Sequence, residues 1–163
     1  MVKKQAARNV TVLALCAAVL FAQQVLLSAI PNIELVSLLV IVFTLTFRHK
    51  ALYIIYTFAL LEGLVYGFSP WWWIPYLYVW TLLALVTWLW RSCRSSFIWA
   101  VISGVFGLIF GALCAIPYLF TGGPALMASW WVSGIPFDLI HGAANFALCL
   151  ALWKLLTRLF TTF

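Results

Sequence analysis

The sequence predicts an all-α integral membrane protein, a compact bundle of six transmembrane helices with both termini in the cytoplasm. Hydrophobic residues make up 67% of the 163 residues and charged residues only 7%, whereas soluble domains carry about 25% charged residues. The apolar runs are long and continuous and do not alternate with period two, which favours helices over a membrane β-barrel. The nine lysines and arginines cluster at a few places along the chain, which predicts the orientation.

Charges, prolines and turn residues divide the chain into six apolar segments within one domain, residues 1–163. We predict helices over residues 9–30, 34–47, 51–67, 76–90, 96–120 and 135–156. The second and fourth are short for a hydrocarbon core that needs about 20 residues, so we expect local thinning or neighbouring helices that bury their ends. The first run is longer than the apolar region of a signal peptide, so we predict a retained helix.

The distribution of positive charge predicts which side each loop faces. Lysine and arginine occur at the N-terminus, in residues 48–50 and 91–94 and in the C-terminal tail, which lie on one side of a six-helix chain. The opposite loops contain neither residue type. The positive-inside rule then places both termini in the cytoplasm. The net charge of +6 therefore indicates orientation, and we predict no nucleic-acid partner.

The three acidic residues, Glu34, Glu62 and Asp138, all map to the outward half of the predicted bundle. His141 and Asn145 follow Asp138 at spacings of three and four, so these three residues share one helix face. A carboxylate inside a membrane costs about 2.5–3.5 kcal/mol on the insertion scale and marks a candidate functional site. We predict that all five residues bind a substrate.

Each of these residues also has a structural interpretation. Glu34 could cap the second helix and Asp138 the sixth, because carboxylates are favourable at helix N-termini. Glu62 lies in mid-helix, where it is a site residue or a structural hydrogen-bond partner. His141 could be a neutral core histidine bonded to Asp138 or Glu62.

Aromatic residues near the outer loops exceed what an interfacial belt requires. We predict that Tyr66, Trp72, Tyr76 and Trp131 offer stacking faces to a ligand. With three acids and no outward lysine or arginine, an anion would lack a counter-ion. We therefore expect a neutral or cationic ligand, such as a pyridoxine-like or thiamine-precursor-like heterocycle, or a corrinoid if the cavity is large. The four cysteines show no metal-ligand spacing, and we predict no metal or cofactor.

Two helices carry stripes of small residues, which permit close helix approach in membranes. In the first helix, Ala14, Ala18 and Ala22 repeat at steps of four, which suggests a partner protein. In the fifth, the stripe of Ser103, Gly104, Gly107, Gly111 and Ala115 is expected to serve internal packing.

The chain resembles the substrate-binding S-components of energy-coupling factor (ECF) vitamin transporters. The alanine stripe and residues 31–36, 61–67 and 134–146 carry this resemblance, which covers the whole chain. It implies that Ala14, Ala18 and Ala22 pack against the transmembrane coupling subunit and that a vitamin-like ligand binds near the outer side. It also implies that two cytoplasmic ATPase subunits drive uptake across the plasma membrane of a prokaryote.

Two other classes compete with this interpretation. A scaffold similar to the rod-shape-determining six-helix membrane proteins would have comparable size and organisation. An intramembrane enzyme similar to the CAAX-type proteases would use His141 and Asn145, but Glu62 is followed by Gly63 and not by the second glutamate that family needs. We predict that the chain is not an enzyme. Because it has no nucleotide-binding loop, partners would supply energy for active transport.

Overall fold

The computed structural model describes the backbone of residues 2–160 and the side chains of residues 8–160. This part of the chain is helical and contains no strand, which confirms the predicted all-α class. The helices are α1 (Val2–Leu27), α2 (Val36–Phe47), α3 (Ala51–Tyr66), α4 (Trp73–Leu89), α5 (Ser96–Cys114) and α6 (Ile116–Phe160), and a 3-10 helix, Arg48–Lys50, joins α2 to α3.

Four helical stretches are long and apolar enough to cross a membrane, judged by length and composition: Arg8–Leu27, Val36–Tyr66, Ser96–Cys114 and Ile116–Phe160. The helix Trp73–Leu89 is apolar but shorter. The described chain thus has five apolar helical segments by this measure, where six were predicted. The difference arises at the 3-10 helix, because α2 and α3 are short and run together as one stretch of 31 residues. These segments are compatible with a membrane location.

The backbone nevertheless reverses direction between α2 and α3. Leu35, just before α2, donates its backbone N–H to Gln23 Oε1 near the end of α1, at 2.8 Å. Glu62, near the end of α3, shares a cavity wall with Gln24. The start of α2 and the end of α3 therefore lie together. Arg48 makes the turn with φ of 54° and ψ of −131°, a conformation that residues other than glycine seldom adopt.

Helix α2 occupies the centre of the bundle. Every residue from Val36 to Thr44 is buried, and α2 contacts each of the other five α-helices. An apolar helix that is buried on all sides needs neighbours around its whole circumference. This central position agrees with the expectation that neighbouring helices bury the ends of this short helix.

Helices α5 and α6 form an antiparallel hairpin with Gly123 at its tip. Gly123 interrupts α6 with φ of 76° and ψ of −173°. Tyr118 stacks on Trp130 across the tip, with ring centroids 4.9 Å apart. The predicted start of the last helix at residue 135 is wrong, because the helix already runs on from residue 124. Pro124 suits a first helical turn, where its missing N–H is not needed.

Pro117 explains why α5 ends at Cys114 and not at residue 120, as predicted. Proline has no N–H to bond the carbonyl four residues earlier, which here belongs to Leu113. The Tyr78 hydroxyl donates to that carbonyl oxygen instead, at 2.7 Å. A side chain from α4 thus satisfies the acceptor that proline leaves free, and it ties α4 to the end of α5.

Gly107 allows α5 to approach α6 closely. A Cβ at this position would lie 2.8 Å from both Cα and N of Gly142, so we expect Gly107→Ala to force the helices apart. The predicted loss is about 1–3 kcal/mol of stability, measurable as a lower Tm in detergent. Gly134→Ala is the matched control, because its Cβ would meet nothing within 4 Å. Equal melting temperatures for the two variants would contradict the close packing of this stripe.

Candidate functional site

The acids and the described cations lie toward opposite ends of the bundle. Phe43 near the end of α2 packs on Phe160, and Trp99 at the start of α5 stacks on Trp153, so these helix ends meet. The described lysines and arginines lie near this end: Arg8, Arg48, Lys50, Arg91, Arg94, Lys154 and Arg158. Lys3 and Lys4, predicted to belong with them, lie outside the described side chains.

Glu34 accepts several hydrogen bonds at the start of α2. Its Oε2 accepts from the Val36 backbone N–H at 2.8 Å. Its Oε1 accepts from the Ser37 backbone N–H at 3.3 Å and from the Ser37 hydroxyl at 2.8 Å. His141 Nε2 lies 3.1 Å from the same oxygen. The capping interpretation of Glu34 is therefore confirmed, and the same carboxylate also holds the histidine.

The polar face of α6 is buried, as its spacing predicts: Asp138, His141 and Asn145 are each at most 7% exposed. Asp138 Oδ1 accepts from the Gly111 backbone N–H at 2.9 Å. Asn145 Nδ2 donates to the Ser37 hydroxyl at 3.0 Å. The idea that Asp138 caps a helix is wrong, because α6 runs through this residue. The suggested hydrogen bond of His141 to Asp138 or Glu62 is not found among the described residues, where its carboxylate partner is Glu34.

Three adjoining cavities open among these polar groups. Cavity I, of about 270 Å³, lies between the end of α1 and the start of α2 and reaches Glu34 and His141. Cavity II, of about 460 Å³, lies against the hairpin and reaches Asp138. Cavity III, of about 220 Å³, reaches Glu62. Gln24 lines cavities I and III, and Tyr76 lines I and II, so the three form one region.

Three buried polar atoms in the walls of cavities I and III have no hydrogen-bond partner among the described residues. They are Gln24 Oε1, Glu62 Oε1 and Trp80 Nε1. Glu62 is only 3% exposed and Trp80 only 1%. An unsatisfied buried polar group costs about 1–3 kcal/mol, so three in one region mark a place that a ligand or water would complete. Glu62 thus differs from Glu34, whose oxygens are both used.

The predicted aromatic residues fall mainly in the walls of these cavities. Tyr66 lines cavity III, Trp72 lines II and III, and Tyr76 lines I and II. Trp131 lines none of the three cavities. Its neighbour Trp130 occupies the wall of cavity II instead.

A stack of three aromatic rings lies beside cavity II, and two of its members, Trp71 and Trp130, line the cavity. Tyr118 lies between Trp71 and Trp130, with both pairs of ring centroids 4.9 Å apart and nearly parallel. Trp71 belongs to the segment between α3 and α4, whereas the other two residues belong to the hairpin. The stack therefore fastens that connecting segment to the hairpin tip beside the cavity.

Several site residues were missed in the sequence because they are neither acidic nor basic. Ser37 joins Glu34 to Asn145, and Gln24 and Trp80 carry two of the unpartnered atoms. One signal was available: Gln23 and Gln24 form an adjacent amide pair inside the first apolar run. Amides buried in an apolar helix require partners. Ser37 gave no comparable signal.

The three alanines predicted to bind a partner lie on an exposed face of α1. Ala14, Ala18 and Ala22 are all exposed, whereas Cys16 and Leu20 on the opposite face are buried. The alanine face is thus directed away from the bundle. Its predicted contact with a coupling subunit stays a prediction.

Comparison of the chain with protein-family models, with curated proteins and with solved structures found no match in any of the three. The resemblance to S-components stays a prediction.

Proposed function

We propose that this protein is the substrate-binding subunit of a membrane uptake system and captures a small neutral or cationic heterocycle at its acidic end. The observation that carries the proposal is the set of unpartnered buried atoms around cavities I and III. Ligand sites combine a largely apolar wall with a few convergent polar groups. Gln24, Glu62 and Trp80 offer an amide oxygen, a carboxylate and an indole N–H to such a ligand.

Charge favours a neutral or cationic ligand. The chain's three acids line the cavities, and none of the described lysines and arginines does. Aromatic faces such as those of Trp72 and Tyr76 attract a cationic ring or an ammonium group. Cavities I and III, of about 270 and 220 Å³, are slightly smaller than the roughly 300–1,000 Å³ of typical small-molecule sites, and cavity II, of about 460 Å³, lies in the lower part of that range. This range favours a single heterocycle of vitamin size over a corrinoid.

The proposed topology has six passes and both termini in the cytoplasm of a prokaryotic cell. Its support is the reversal of the chain at Arg48, between α2 and α3, and the collection of described cations at one end of the bundle. The acidic end then faces outward. This arrangement presents the cavities to a ligand outside the cell.

Energy for uptake would come from partners. The chain has no nucleotide-binding loop, so two ATPase subunits and a transmembrane coupling subunit are proposed, as the S-component resemblance implies. Ala14, Ala18 and Ala22 lie on the face of α1 that is directed away from the bundle. They provide a surface of small side chains against which a coupling helix could pack closely. The chain itself is proposed to bind and carry, and not to catalyse a reaction.

Thermal unfolding of the detergent-purified protein with a ligand panel tests the proposal. The panel contains cationic, neutral and anionic vitamins and their precursors, including pyridoxine, thiamine and its precursors, and cobalamin. A ligand at 100 times its Kd stabilises by about 2.7 kcal/mol, so a specific cationic or neutral compound is expected to raise the Tm by several degrees. An anionic vitamin giving the largest shift would contradict the charge argument. No shift with the whole panel, repeated with coupling subunits, would favour a scaffold.

A further inference from the structure

A fourth cavity, of about 340 Å³, lies at the basic end of the bundle. It lies between residues 8–13 of α1 and the 3-10 helix that joins α2 to α3. Arg8, Arg48, His49 and Lys50 supply basic side chains to its wall, and Asn9 and Thr46 add neutral polar groups. None of the wall residues is acidic.

No acidic side chain in the described wall of this fourth cavity neutralises its positive charge. Glu34, Glu62 and Asp138 line the cavities of the acidic end. No ion pair is found for Arg8, Arg48 or Lys50 among the described residues. Three cations around one concave surface attract an anion, and phosphate oxygens suit arginine in particular because its guanidinium can bind them in bidentate fashion.

The strained backbone conformation of Arg48 supports a binding role for the fourth cavity. A residue other than glycine at positive φ costs roughly 1–3 kcal/mol and persists where the surroundings require it. Glycine would adopt this conformation more readily, because it has no Cβ. The sequence has arginine here, at the centre of the basic wall.

An apolar groove, of about 310 Å³, continues from the fourth cavity along the outside of the bundle. Leu13 lines both, and Val10, Ala14, Tyr53 and Thr57 line the remainder of the groove. Val10 and Tyr53 are each 67% exposed, so the groove is open along the faces of α1 and α3. A charged cavity that leads into an apolar groove matches the two parts of a phospholipid.

We propose that this composite surface binds an anionic phospholipid. The phosphate lies among Arg8, Arg48 and Lys50, and one acyl chain follows the groove past Leu13 and Ala14. Basic pockets between helices on the cytoplasmic side of a membrane are suited to anionic headgroups. The proposal does not depend on a transported substrate, and it places a lipid beside Ala14, where a coupling subunit would also bind.

Native mass spectrometry of the full-length protein, released from detergent, tests the proposal with phosphatidylglycerol and phosphatidylcholine of the same chain length. The wild-type protein is expected to retain phosphatidylglycerol in preference. Arg48→Gly combined with Lys50→Gln is expected to lower its affinity roughly ten- to thirtyfold, because each cation near an anionic surface contributes about 1 kcal/mol. Glycine adopts positive φ without a Cβ penalty, and an unchanged Tm in neutral detergent checks that the fold is preserved.

Arg91→Gln combined with Arg94→Gln is the matched control, because it removes the same charge from another turn at the basic end, outside the cavity. This variant is expected to keep the wild-type preference. An equal loss in both double variants would overturn the proposal, since the attraction would then be general to the basic end. Equal retention of the two lipids by the wild-type protein would overturn it as well.

Two further measurements distinguish a bound lipid from a bound soluble phosphate compound. Ala14→Trp fills the groove and is expected to weaken retention of the long-chain lipid at least threefold. Inorganic phosphate or glycerol 3-phosphate at the lipid's concentration is expected not to displace it. Displacement by either compound, together with no effect of Ala14→Trp, would assign the cavity to a soluble phosphate and overturn the lipid.

Discussion

Glu34→Ala is expected to lower the free energy of unfolding by about 3 kcal/mol, from the lost helix cap and the buried groups left without partners. The substitution removes the acceptor of two α2 amides and of the Ser37 hydroxyl. It also leaves His141 Nε2 buried without its carboxylate. Titration with sodium dodecyl sulfate in mixed micelles, followed by far-ultraviolet circular dichroism, measures the change.

Two companion variants separate the cap from the histidine contact. Glu34→Gln keeps one oxygen acceptor for the α2 amides, so its loss is expected to be smaller than that of alanine. His141→Ala leaves the cap intact and removes the long-range contact. The double variant Glu34→Ala with His141→Ala is expected to show a coupling energy of about 0.5–3 kcal/mol. Strict additivity would mean that the two side chains do not stabilise each other.

The position of Glu34 also shows what a one-dimensional pattern can predict. A carboxylate after Pro31 and Asn32 and before an apolar run predicts a helix cap, because that geometry is local. The partner of His141 is 107 residues away along the chain, and no spacing rule identifies it. Only the packing of α2 against α6 brings the two residues together.

The last helix shows a second limit of prediction from the sequence, because it begins well before the predicted residue. The glycines at 122 and 123 and the proline at 124 correctly predicted an interruption, and Gly123 adopts the positive φ that makes the hairpin tip. Pro136 lies inside α6 and does not mark its start, because a proline can lie within a membrane helix when neighbours satisfy the freed carbonyl. The predicted start at residue 135 was therefore about eleven residues late, counted from residue 124.

The polar cluster itself was predictable because an apolar chain has few places for charge. Each of the three acids in the sequence contributes to a cavity wall, as expected for carboxylates that are costly in lipid. The different hydrogen bonding of the three acids could not be predicted from the sequence. Glu34 and Asp138 bond backbone amides, whereas Glu62 Oε1 has no partner among the described residues, and only the packed side chains distinguish them.

Because the Glu34 carboxylate is fully hydrogen-bonded and that of Glu62 is not, replacing each glutamate by glutamine is expected to change stability in different directions. Glu62→Gln is expected to leave the stability of the ligand-free protein unchanged or to raise it by up to about 1 kcal/mol, because it removes a buried charge that lacks a partner. For a cationic ligand found in the thermal panel, the affinity is expected to fall at least tenfold. The reason is that a hydrogen bond to a charged group contributes about 1.5–3 kcal/mol. Isothermal titration calorimetry measures the affinity, and the same micelle titration measures stability.

Glu34→Gln is the matched control, since it makes the identical change at the saturated carboxylate and is expected to lower stability. A protein whose function requires an incomplete polar site pays in stability for a group that only the ligand completes. A fall in stability with Glu62→Gln and unchanged affinity would instead make Glu62 a structural residue. Retained affinity with unchanged stability would transfer recognition of the cation to Asp138, the other acid in a cavity wall with an unpartnered oxygen.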